Sequence, residues 1–125
     1  MVPIRSVLRC VSGRTDEAQT RRILELLRQE LGWPELLAVA IEHKVVPLVF
    51  EALRTLDPAL VPFKWMEVIK SRAKSIASRN LFLFAEMTEI LHAFSDRQIP
   101  CISYKGPVLG WLCFRNLARR AFDNL

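Results

Sequence analysis

Hydrophobic positions in the first hundred residues recur at intervals of three and four, the repeat of helices buried on one face. Ile4, Val7, Leu8 and Val11 form a short set that Gly13 ends. Thr15 then suits an N-cap, with Asp16 and Glu17 at the positive end of the helix dipole. Ile23, Leu24, Leu26, Leu27 and Leu31 give an apolar stripe, and Gly32 a natural stop. Trp33-Pro34 restarts the helical pattern, which Leu36, Leu37, Ala40 and Ile41 carry to about Lys44. Pro47 opens another short helix with Leu48, Val49, Ala52, Leu53 and Leu56, broken by Asp57-Pro58 and Val61-Pro62. From Pro62 to about Arg97 one long pattern runs through Met66, Ile69, Ala73, Ile76, Leu83, Met87, Ile90, Leu91 and Phe94. No proline or glycine interrupts it.

The pattern then changes. Arg97-Gln98 reads as a turn, and Ile99-Pro100-Cys101-Ile102-Ser103-Tyr104 as a short strand rich in β-formers. Lys105-Gly106-Pro107 follows, Val108 to Phe114 is helical in pattern, and Ala121-Phe122 can begin a second strand. Two regions result: residues 1–97, helical and ending in the long helix, and residues 98–125, the start of an α/β unit. A lone strand cannot pair its backbone groups or make a stable sheet. The expected fold is therefore predominantly α, a helical bundle followed by the first strand-turn-helix of a truncated α/β core.

Composition supports a folded chain. With 125 residues, 51% hydrophobic and 25% charged, one packed domain is expected and wholesale disorder is excluded. The net charge of +5 admits a polyanionic partner such as nucleic acid, but both signs intermix along the chain as on an ordinary basic surface. Cys10, Cys101 and Cys113 are odd in number and form no C-x-x-C pair, which argues against a disulfide framework or zinc site and for a reduced setting. Arg5 and Arg9 interrupt the apolar amino terminus, unlike a signal peptide, and no run reaches the ~18 apolar residues of a membrane span. A soluble, cytoplasmic protein without membrane partners is expected.

The segment with most chemical content is strand, Lys105-Gly106-Pro107, helix. Gly106 lets backbone approach a ligand closely, and Pro107 suits the first helical position. The N–H groups of Val108, Leu109 and Gly110 would face outward at the positive helix end, with the Lys105 charge beside them. That is a phosphate-holding arrangement; a plain structural turn has the same pattern. Glu86 and Glu89 read as solvated or ion-paired helix residues, and His43 and His92 are isolated from other ligands. Lys64, Lys70, Arg72, Lys74 and Arg79 form either a phosphate-binding face or a solvated one. Trp33, Trp65 and Trp111 read as packing anchors.

Ile99-Pro-Cys-Ile-Ser-Tyr-Lys-Gly-Pro-Val-Leu, then Asn116-Leu-Ala, then Arg120-Ala-Phe-Asp-Asn-Leu125, resembles the core of the uncharacterised nucleotidyltransferase family within the DNA-polymerase-β-like superfamily. The segment His43-Lys-Val-Val-Pro-Leu-Val and the Arg79-Asn80…Glu86 run are similar as well, so the resemblance extends from about Leu24 onward. It implies transfer of a nucleoside monophosphate from NTP to an acceptor that the sequence does not identify. Lys105 and Gly106 match the turn that cradles the phosphates, and Pro107 stands where the wider superfamily often has Ser. A pair of aspartates would hold Mg²⁺ against the triphosphate. Counted from Arg120, the first of these positions falls on Asn124 and the second just past Leu125, while Asp123 would point to the opposite strand face. Asp123 and Asn124 thus make an incomplete metal site, and no transfer by these residues alone is expected. The competing expectation is a non-catalytic helical interaction module, its long helix exposing an apolar or basic strip. An unfinished sheet edge near Ile102 would then favour self-association.

Overall fold

The chain is described by a computed structural model over Ile4, Val7, residues 16–119 and residues 121–122. Ile4 and Val7 are helical, and Val7 is buried in the core. The first full helix, α1, is Glu17–Leu27. Its N-cap is Asp16, whose carboxylate accepts the Gln19 N–H at 2.7 Å, while the Thr20 hydroxyl donates to the Asp16 carbonyl at 3.1 Å. The cap expected at Thr15 is thereby shifted by one residue, because the aspartate oxygen satisfies the orphan amide itself. Gly32 also changes role. α1 stops at Leu27, and Gly32 caps the start of α2, Trp33–Glu42, with φ of −72° rather than the left-handed geometry of a helix stop.

α2 ends in a Schellman turn. Lys44 stands at φ 57°, its N–H bonds to the Ile41 carbonyl at 3.0 Å, and the Val45 N–H reaches the Ala40 carbonyl at 2.9 Å. α3, Val46–Arg54, follows at once, and a 3₁₀ turn, Pro58–Leu60, precedes the long helix α4, Phe63–Asp96. Its 34 residues span about 51 Å. α4 closes as α2 does: Gln98 sits at φ 56°, and the Ile99 N–H bonds to the Phe94 carbonyl at 2.9 Å. α5, Pro107–Phe114, is the last helix of the described residues.

Val7, Ile23, Leu27, Leu36, Ala40, Val46, Val49, Leu53, Leu56, Val61 and Ile69 form one core between α1, α2, α3 and the first turns of α4. The far half of α4 is only partly covered by the described residues. Leu81, Phe82, Leu83 and Phe84 carry apolar side chains around a full helical turn, yet Leu81 and Phe82 remain 60% and 63% exposed. Helices that are apolar all round are built for burial on every side.

The architecture is predominantly α, and no strand forms among the described residues. Residues 99–104, expected as a strand, have no regular secondary structure, and neither do Ala121 and Phe122. The β-forming composition is present, but a strand exists only through its ladder, and no segment among the described residues pairs with this one.

Candidate functional site

The turn at Lys105-Gly106-Pro107 is set by backbone geometry. Gly106 is the N-cap of α5 with φ 56° and ψ −123°, a conformation that a Cβ makes costly. Pro107 takes the first helical position and is fully buried, pinning the helix start. Of the three amides expected to face outward, Gly110 does not: its N–H bonds to the Gly106 carbonyl at 3.0 Å, closing the first helical turn. The Val108 and Leu109 amides have no hydrogen-bond partner among the described residues. Lys105 is exposed, with Nζ 5.8 Å from the centre of the Tyr104 ring.

Beside this turn lies an open cleft of about 240 Å³ between α4 and the extended segment, walled by Met87, Ile90, Ile102, Tyr104 and Lys105. Ser103 ties the segment to the helix, its hydroxyl donating to Met87 Sδ at 3.4 Å. A hydroxyl–thioether contact is weak, and the segment's firmer tie to α4 is the Ile99 N–H bond to the Phe94 carbonyl.

The chain beyond α5 is anchored more firmly. Arg115, at φ 51°, ends the helix, and the Asn116 side chain accepts the Ala118 N–H at 2.8 Å. Asn80, 1% exposed in the middle of α4, donates from Nδ2 to the Leu117 carbonyl. Arg119 and Glu51 of α3 form an ion pair at 2.6 Å. Phe122 is buried with its ring beside Gly110. Residues 116–119 and Phe122, just ahead of Asp123 and Asn124 in sequence, are therefore held against α3, α4 and α5.

Sequence reasoning assigned no role to Asn80 or Glu51. The signal for Asn80 was there: it stands at the helical interval of Ile69, Ala73, Ile76 and Met87, where a polar side chain must find a buried partner. Glu86 and Glu89 are solvent-exposed, and His43 caps α2 through its backbone. Trp33 and Trp65 are half-buried as packing residues, whereas Trp111 is 49% exposed.

Asp123 and Asn124 lie outside the described residues. Among the described residues no group of three His, Cys, Asp or Glu could hold a metal ion. No helix of the described residues is long and apolar enough to cross a membrane. Residues 29–125 match the family described as uncharacterised nucleotidyltransferase. No curated protein and no solved structure matches the chain significantly.

Proposed function

Because the chain belongs to the uncharacterised nucleotidyltransferase family, we propose that it binds NTP at the Lys105-Gly106 turn and takes part in transferring a nucleoside monophosphate to an acceptor. The observation that carries this reading is the Gly106 conformation, which leaves the Val108 and Leu109 amides unengaged at the positive end of α5 with the exposed Lys105 next to them. Those donors suit the oxygens of a triphosphate. Mg²⁺, implied by the family, would screen the phosphate charge. At the place of the family's metal-holding acids the sequence has Asp123 beside the neutral Asn124, whose amide oxygen is a poorer magnesium ligand. A cytoplasmic setting fits the exposed free thiols of Cys101 and Cys113.

Calorimetric titration with Mg-ATP tests the proposal. Binding should weaken about tenfold in Lys105→Ala, the scale of one charge-assisted contact. Absence of binding, or equal affinity in the variant, removes the basis for the reading.

A second reading is favoured by the exposed apolar surface of α4 and the neighbouring segment, where Ile102 and Tyr104 are 88% and 74% exposed. It takes the chain as a non-catalytic helical module that self-associates through this surface and the unpaired extended segment. Light scattering across protein concentration decides it: a monomer at every concentration excludes it.

A further inference from the structure

A second cleft, of about 180 Å³, lies between α3, α4 and the loop after α5. Its charged lining is three cations, Arg54, Lys74 and Arg119, against a single carboxylate, Glu51. Glu51 is already bridged by Arg119 at 2.6 Å. Arg54 and Lys74 are exposed and form no ion pair among the described residues. They are thus two uncompensated positive charges at the mouth of one cavity. The rest of the wall is apolar, with half-buried Phe50 from α3 and Ala77 from α4. Ala77 leaves space where a larger side chain would close the gap between α3 and α4.

We propose that this cleft binds a phosphate monoester on a sugar-sized body, and that it holds the acceptor of the nucleotidyl transfer; the acceptor role, though not the binding, rests on the function proposed above. Size restricts the ligand. The cleft, about 180 Å³ and open to solvent on one side, accommodates a phosphate and one ring between its walls. Charge restricts it further, since Arg54 and Lys74 attract an anion while Phe50 offers a face for a ring. Placement joins the cleft to the reaction. The loop that forms one wall, including Asn116 and Arg119, connects α5 of the phosphate turn to the segment carrying Asp123 and Asn124.

Titration calorimetry of the full chain at low salt, with ribose 5-phosphate, ribose and inorganic phosphate as separate probes, tests this. Ribose 5-phosphate should bind more tightly than inorganic phosphate, and ribose not at all. Lys74→Ala should weaken ribose 5-phosphate about fivefold, and Ala77→Leu should abolish binding by filling the space while thermal melting confirms the fold. Unchanged affinity in both variants, or equal affinity for inorganic phosphate, overturns the proposal. Lys105→Ala separates the two sites. It should leave ribose 5-phosphate binding intact, and a loss there means the anion sits at the turn and the cleft assignment is wrong. If Mg-ATP fails to bind while ribose 5-phosphate still depends on Lys74, the nucleotidyl reading falls and the cleft remains.

Discussion

Asn80 offers the most direct test of how the structure is held together. Its side chain is 1% exposed, and its Nδ2 donates to the carbonyl of Leu117, 37 residues away. Asn80→Ala removes that donor from a part-buried carbonyl and leaves a small void. The expected cost is about 2 kcal/mol. For a chain of 125 residues that lowers the melting midpoint by about 8 °C. Urea unfolding followed by circular dichroism measures the first quantity and a thermal melt the second. Trypsin supplies a local readout, since cleavage after Arg115 and Arg119 should accelerate as the loop loses its anchor.

Asn80→Asp sharpens the argument because it keeps the shape and reverses the chemistry. An ionised carboxylate cannot donate to the Leu117 carbonyl, and burial raises its pKa above the unfolded value of about 3.9. A raised folded pKa means that stability is fully present below the unfolded pKa and is lost as pH rises through the folded one. Relative to the parent at the same pH, the variant should therefore be weakest near pH 7.5, by about 3 kcal/mol. Near pH 4 it should recover much of the difference, as the protonated carboxyl donates in place of the amide. A deficit equal at both pH values refutes the reasoning, as does a cost below about 0.5 kcal/mol for Asn80→Ala.

Lys44→Gly should stabilise the chain by about 1 kcal/mol in urea unfolding, because Lys44 occupies the left-handed position of a Schellman turn at φ 57°. Gln98→Gly, at the matching position after α4, should act the same way. Gly106→Ala should cost about 2 kcal/mol, since φ 56° with ψ −123° is strained for any residue with a Cβ, and should also abolish Mg-ATP binding in calorimetry. Asp16→Ala, which removes the acceptor of the Gln19 amide, should cost about 1 kcal/mol in the same unfolding assay.

The helices were legible because their signals are local. α4 runs from Phe63 to Asp96 within the expected limits of Pro62 and Arg97, since 34 residues without glycine or proline leave little alternative. Pro34 and Pro47 each mark an element start as expected, whereas Pro58, expected only to break a helix, also opens a 3₁₀ turn. Gly32 was misread because a glycine's role depends on its φ, which neighbours in space decide. Lys44 and Gln98 escaped notice for the converse reason: left-handed caps usually announce themselves as glycine. The segment 99–104 has strand composition but no ladder, and pairing is not a local property. In the candidate site, Lys105 and Gly106 were found from turn chemistry, whereas Arg119 with Glu51 and Asn80 with Leu117 join residues too distant for any spacing rule. Asp123 and Asn124 lie outside the described residues, so their expected placement has no counterpart to set beside it.

Side-chain contacts cross the change of sequence pattern near residue 98. Met87 of α4 is buried where Ser103 meets it, Asn80 of the same helix holds Leu117, and Glu51 of α3 pairs with Arg119. Each contact takes one partner from the helical region and one from the region after it. The ion pair, about one-third exposed on each side, contributes little on its own. The Asn80 contact matters more, because a buried amide that lost its partner would pay for desolvation with nothing in return. A helical region that spends a buried polar residue on the loop ahead of Asp123 is shaped to hold that loop in place. Under the proposed function, the front helices therefore belong to the site's supporting structure, and α4 is the element through which the phosphate turn and the loop are held in one frame.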